Sequence, residues 1–354
     1  LNAPARLTYT YTYLQYLRGI AALMVVYFHS VSQLENMAGA PTVLPLFGES
    51  GVDLFFVLSG FLMWITTDRS RVTPKSFMIN RLIRIVPLYW GLTLAASAVA
   101  LWFPQLLKHT QFDGIHVLSS LFFIPSANPS YLSGAGEALK FTPLLVPGWT
   151  LNYEMFFYVI FAVLMYFQNR LRVSLILGVF LLVCLAGAGG EGVNSVLEFY
   201  ANPIIFEFMF GIFIALLVRR GQVVPLKVAV PIFMVSAVAL IGINIANMNF
   251  CRAIEFGVPA ALIVYSLCCV ELQAGGLQWR LLKSLGDASF SLYLTHVFTL
   301  VVCRVIFIRF IQYDSVWLEV AFILLSLVLS STVALGVYQL FEKPTAVYLK
   351  RLRY

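Results

Sequence analysis

The chain has 354 residues, 60% of them hydrophobic and only 11% charged, with a mean hydropathy of +0.88. A water-soluble domain carries about 25% charge and about 45–50% apolar residues, so this composition excludes a soluble enzyme and leaves no room for a separate soluble catalytic domain. The formal charge of +7 sits between apolar runs, without basic residues interleaved with stacking aromatics, and implies no nucleic-acid partner.

Apolar windows in chain order predict an all-α, polytopic integral membrane bundle of about ten transmembrane helices, forming a single domain over 1–354. The windows are 17–34, 52–67, 85–103, 149–168, 173–190, 203–218, 228–245, 253–271, 288–311 and 317–340. The stretch 52–67 is barely long enough to cross, and 117–124 is too short, reading as a re-entrant or interfacial piece. Before the first window, Thr8 to Tyr13 alternates Thr and Tyr; tyrosines at the headgroup level account for it better than a strand. Ala38-Gly39-Ala40 resembles a signal-peptide cleavage site, but the long preceding polar segment and a His near the end of the apolar run argue against cleavage.

Lys and Arg alternate between the two sides of the predicted bundle. Eighteen fall on one side, among them Arg6, Arg18, Arg71, Arg81, Arg84, Arg170 and Arg220, against five on the other: Lys108, Lys140, Arg252, Arg304 and Arg309. A cytoplasmic excess of positive charge then places both termini in the cytoplasm. The five cysteines form no CxxC or Cys/His ligand spacing and read as packing residues, with no metal site.

Polar residues inside apolar spans are functional candidates by default, because hydrocarbon makes each of them costly. Arg18 and His29 are eleven residues apart, which on one helix is about 16 Å along the axis and about 20° around it. One helical face thus runs from an arginine at the membrane surface to a histidine beyond the midplane. Asp53, Glu154, Glu207 and His296 reach similar depths, and one such carboxylate would suit Arg304 as a structural partner. Arg81 and Arg84 lie at i and i+3 on one helix face and suit phosphate, although by itself such a pair is more often a positive-inside anchor than a ligand site. Nucleotide-type glycine loops, HExxH and GxSxG are absent, and Ser59-Gly60 reads as a small pair for close helix packing.

The run Leu17-Arg18-Gly19-Ile20-Ala21-Ala22-Leu23 followed by His29 resembles the first span of the acyltransferase-3 family of integral membrane acyltransferases, with its Arg, ten residues, His signature. Gly51 to Phe61 is similar to the family's second-span motif, Arg81 to Arg84 to its RxxR motif, and Pro147 to Glu154 to its Trp-Ser-Leu-Ser-x-Glu pattern. Ser289 to His296 and Phe341-Glu342-Lys343-Pro344 complete the series over nearly the whole chain. Gln15-Tyr16, where many members have an acid, resembles the exopolysaccharide and O-antigen acetyltransferase branch; Thr150 and Asn152 replace the common serines and weaken any claim for a serine nucleophile.

The resemblance implies an acyl-CoA donor, acetyl-CoA in this branch, used as substrate with no permanently bound cofactor. The acceptor it implies is a hydroxyl of a cell-surface or lipid-linked carbohydrate, and the location a bacterial-type inner membrane. On that reading Arg18, Arg81 and Arg84 hold CoA phosphates and His29 is the general base, with Glu154 or Asp53 orienting its imidazole; a transient acyl-His is the alternative. Trp149, Asn152, Tyr293 and His296 are candidate substrate-binding residues, the first three also for the oxyanion. Some family members carry a fused SGNH domain; this chain, ending at Tyr354, would complete transfer alone or pass the acyl group to another protein. A transporter or flippase of a lipid-linked glycan fits the intramembrane charges as well, and only the paired arginines speak against it. A membrane scaffold would leave His29 without a purpose.

Overall fold

The computed structural model describes residues 11–38, 42–69, 72–103, 111–132, 140–188, 195–246, 250–310 and 315–352. Arg6, Arg71, Lys108 and Thr8, Tyr9 and Thr10 of the 8–13 run, like Gly39 and Ala40, therefore lie outside the described residues. Regular structure among the described residues is helical, without a strand. The chain runs through α1 (Thr12–Ala38), α2 (Gly51–Arg69), α3 (Pro74–Trp102), α4 (Gly114–Leu121) and α5 (Pro129–Leu132). It continues through α6 (Trp149–Leu164), α7 (Asn169–Gly187), α8 (Ser195–Tyr200), α9 (Phe206–Arg219) and α10 (Leu226–Ala246). The last third comprises α11 (Val258–Ala274), α12 (Arg280–Asp287), α13 (Ser289–Phe310), α14 (Val316–Val337) and α15 (Lys343–Arg351).

Each of the ten predicted windows becomes helical, but seven stretches among the described residues are long and apolar enough to cross a bilayer. These are Thr12–Met37, Pro74–Trp102, Asn169–Gly187, Leu226–Ala246, Ala253–Ala274, Ser289–Ile308 and Val316–Arg351. The expected count of about ten thus meets three short helices: the apolar part of α2, which ends at Thr67, α6 with 16 residues and α9 with 14. Proline sets two of these limits. Val146–Gly148 and Pro203–Ile205 form 3₁₀ turns with Pro at their starts, directly ahead of α6 and α9. The piece at 117–124 lies in α4 only as far as Leu121; α4 is an eight-residue helix capped by the Asp113 side chain, which accepts from the His116 amide at 2.7 Å.

The short helices lie inside the bundle. Hydrophobicity does not drive one helix against another in lipid, so close backbone approach at small residues has to. A Cβ on Gly60 would sit 2.0 Å from the Phe208 carbonyl oxygen, and one on Gly211 would sit 2.1 Å from that of Val57. The α2–α9 crossing is thus closed by one glycine from each helix, as expected for the small pair at Ser59-Gly60. Gly60→Ala is expected to destabilise the bundle by about 1–3 kcal/mol, read as a lower thermal midpoint in detergent. Gly178→Ala, on α7 with open space around it, should cost nothing.

Of the 8–13 run, Thr12 and Tyr13 belong to α1. The amides of Thr12 and Tyr13 donate to the carboxylate of Glu271, at 2.5 and 2.9 Å, so a buried acid at the far end of α11 satisfies the first amides of α1. Tyr16 bridges the same region, donating to the Leu277 carbonyl at 2.7 Å and accepting from the Trp279 amide at 2.7 Å. Cys268, Cys269 and Cys303 are buried and none of the five cysteines is in a disulfide, as expected of packing residues.

Candidate active site

A cavity at one end of the bundle collects cationic residues that are 63 and 66 positions apart in sequence, Arg18 from Arg81 and from Arg84. Arg18 from α1 and Arg81 and Arg84 from α3 line it together with Ser59 of α2, Thr150, Glu154 and Tyr158 of α6, and Tyr293 of α13. About 740 Å³ inside it is free of protein atoms. The register of α3 explains the pair: Thr73 caps the helix by accepting from the Ser76 amide at 3.2 Å, Pro74 starts it, and residues at i and i+3 then share its inner face.

The cavity wall has a net positive charge. Arg81 stacks its guanidinium over the rings of Phe77 and Tyr158, at 5.3 and 5.4 Å from their centroids. Arg18 and Arg84 are close enough to repel each other, and Glu342, on the π-helical turn Tyr338–Glu342, lies within electrostatic reach of both. Glu154 supplies a negative charge, but its carboxylate already accepts hydrogen bonds from Ser59 at 3.2 Å and from Tyr158. Three guanidiniums against two carboxylates make this an anion site with apolar walls.

His29 does not line the cavity. Its ring stacks on that of His296, centroids 5.1 Å apart at 27°, so α1 and α13 bring together two histidines separated by 267 positions. His296 is fully buried, with no side-chain hydrogen-bond partner on its ring and the backbone of Leu292 and Tyr293, one turn back, within reach. Tyr293, one turn earlier on α13, joins the two regions. It forms part of the cavity wall, and its ring lies 6.1 Å from that of His296. Its hydroxyl accepts from Thr150 at 3.0 Å and donates to the Pro147 carbonyl at 3.2 Å, so its one proton is already engaged.

Neither acid expected to orient His29 is placed to do so. Glu154 is held by Ser59 and Tyr158, and Asp53 by Arg252, whose Nε and Nη2 donate to its two oxygens at 3.1 and 2.9 Å. The third guanidinium nitrogen pairs with Glu49. Asp53 is buried and Glu207, also buried, is its neighbour, so these residues form a charge cluster of their own. Depth along a helix had grouped Asp53 with His29, but azimuth separates them. Glu49, itself paired with Arg252, is a carboxylate within electrostatic reach of His29, and no sequence motif singles it out. Trp149 and Asn152 also lie off the cavity wall, where Trp149 packs among Phe56 and Tyr153 with ring centroids 6.5 and 6.0 Å away.

Ser59, Tyr158 and Glu342 are the site residues that sequence reasoning missed. Tyr158 carried a usable signal, since it is four residues after Glu154 and so on the same helix face. An imidazole–hydroxyl contact, His116 Nδ1 to Ser126 Oγ at 3.0 Å, lies outside the spans. Burial pushes the His116 imidazole below its ordinary pKa against the opposing pull of Asp113, and its Nε2 meets no partner. It lacks the acid on the second nitrogen that a catalytic dyad would use.

Fold and cavity together define a multi-pass helical membrane protein with an internal, arginine-lined site. The chain belongs to the acyltransferase-3 family, whose acyltransferase domain matches residues 11–338. It is 38% identical over 255 residues to the exopolysaccharide production protein ExoZ of Rhizobium meliloti (strain 1021), covering 72% of this chain and 77% of that one. It is 26% identical over 314 residues to the acyltransferase MdmB of Streptomyces mycarofaciens, covering 79% and 76%. Protein 2 in the picA locus of Rhizobium radiobacter is 29% identical over 164 residues, covering 41% of this chain and 78% of that one. No solved structure matches the chain significantly.

Proposed function

We propose that this acyltransferase moves an acetyl group from cytoplasmic acetyl-CoA to a hydroxyl of a cell-surface or lipid-linked carbohydrate. The observation that carries the reading is the convergence of Arg18, Arg81 and Arg84 on one cavity whose wall includes Tyr293, a neighbour of the histidine pair. Coenzyme A is a flexible chain with phosphates at one end and a thioester at the other. The arginines hold the phosphates, and the pantetheine arm extends along the inner face of α1 toward His29, about 16 Å from Arg18 by helical rise. His29 takes the proton of the sugar hydroxyl as that oxygen attacks the thioester carbonyl. The tetrahedral intermediate then collapses with cleavage of the C–S bond, and the imidazolium returns the proton to the departing sulfur, releasing the O-acetyl sugar and CoA-SH. His296 packs on the His29 ring and fixes its plane, and Glu49, although paired with Arg252, lies within electrostatic reach of the imidazolium that forms. The name of the Rhizobium meliloti relative supports an extracellular polysaccharide as acceptor.

In this reading α2, α6 and α9 also cross, making about ten crossings. The arginine-lined end faces the cytoplasm, both termini are cytoplasmic, and the membrane is the bacterial inner membrane. Isolated membranes given acetyl-CoA labelled in the acetyl group should transfer label to glycan in amounts that follow the protein. Unlabelled glycan, with the protein present and folded, overturns the reading in favour of a glycan transporter or another donor.

A further inference from the structure

A second cleft lies away from this site, between the start of α7 and the end of α9. Asn169, Arg170 and Arg220 rim it, Val173, Phe213, Leu216 and Leu217 form its walls, and its free space is about 880 Å³. No acidic residue lines it. Both arginines are exposed, and neither guanidinium makes an ion pair or hydrogen bond among the described residues. Their neighbour Arg172 is the contrast. It donates to the carbonyls of Leu164, Met165 and Phe167 at 3.2, 3.1 and 3.2 Å and lies over the rings of Trp64 and Phe161, each 5.6 Å away. Arg172 therefore ties off the end of α6, whereas Arg170 and Arg220 have no such structural duty.

The cleft is built for a ligand that is anionic at one end and hydrocarbon along the rest. Its apolar part is continuous with side chains open to the bilayer, because Phe213 and Leu217 are themselves exposed. Tyr166 and Phe167, exposed in the turn before α7, mark the rim as the headgroup level, where aromatic side chains gather. Planar guanidiniums match phosphate oxygens, and basic pockets between membrane helices favour anionic headgroups. We infer that this cleft binds one anionic phospholipid, its phosphate between Arg170 and Arg220 and an acyl chain along Val173, Phe213 and Leu217. The inference is independent of the acyl-transfer reading, since none of these residues belongs to the other cavity.

The test is lipid retention by the purified full chain in detergent, read by native mass spectrometry with phosphatidylglycerol, phosphatidylcholine or inorganic phosphate added. Wild type should retain one phosphatidylglycerol in preference to phosphatidylcholine. Arg170→Gln with Arg220→Gln should weaken retention about thirtyfold, which is what about 1 kcal/mol per arginine near an anionic headgroup gives. Leu217→Asn keeps both charges and should weaken it too, whereas Arg219→Gln, next to the cleft but not in its wall, should leave it within about twofold of wild type. Equal retention by wild type and a folded double variant overturns the site, as does unchanged retention by Leu217→Asn. Inorganic phosphate displacing the lipid would make it a simple anion site and overturn the phospholipid assignment. Should the double variant fail to fold, the single Arg170→Gln and Leu217→Asn variants decide.

Discussion

Replacing His29 with alanine is expected to lower the turnover of acyl transfer by about 10² to 10⁴, the contribution typical of a positioned general base. Folding should survive the change. The His29 ring is half-buried, and the contacts it makes are with the rings of Phe28 and His296, centroids 5.2 and 5.1 Å away, so its removal strands no charged partner. Donor affinity should survive as well, because His29 is not part of the cavity that holds the arginines. The expected signature is a fall in kcat at nearly constant KM for acetyl-CoA, measured on purified protein with wild-type thermal stability. Near-normal turnover by such protein would remove His29 from the chemistry. An acyl adduct on wild-type His29, trapped without acceptor and located by peptide mass spectrometry, would replace direct base catalysis with the two-step alternative.

His296 answers a different question. It is fully buried with no side chain hydrogen-bonded to its ring nitrogens, and an imidazole in a core without such a partner calls for a reason beyond packing. Its place against His29 gives it a reason, since a rigid neighbour limits how far a half-buried imidazole can turn. Preorganised geometry of this kind lets a base act without reorientation during the reaction.

The parts of the site legible in the sequence are those set by position along one helix. Arg81 and Arg84 share a face because they are three apart, and both reach the cavity; Arg18 and His29 lie on one continuous helix, and both face inward. Contacts between helices were not legible. Asp53 meets Arg252 across 199 positions and Ser59 meets Glu154 across 95, and hydropathy says how deep each residue lies but not toward which neighbour it turns. For the same reason Asp53 and Glu154 were grouped with His29, although each has closer partners. The ten helical segments were legible as apolar windows, but the lengths of α6 and α9 were not. The window 203–218 counts Pro203 among its residues, while α9 begins only after a 3₁₀ turn, and the window 149–168 runs on past Leu164, where α6 ends.

Loss of the arginine pair is expected to give the opposite kinetic signature from loss of His29. The phosphates of acyl-CoA are the same in the ground state and the transition state, so a side chain that only holds them contributes equally to both. Arg81→Ala with Arg84→Ala should therefore raise the KM for acetyl-CoA far more than it lowers kcat. Hydrogen bonds to charged groups are worth about 1.5–3 kcal/mol each, which sets the expected rise at about ten- to a hundredfold per arginine. Arg→Lys keeps the charge but not the planar fork, and should recover only part of the affinity. At Arg81 the recovery should be smaller, because an ammonium stacks less well than a guanidinium between Phe77 and Tyr158. Free coenzyme A should compete with the donor in wild type, more weakly at high salt and more weakly still in the double variant. A folded double variant with unchanged donor KM would show that these arginines only anchor α3, and would leave Arg18 as the remaining guanidinium on the cavity wall.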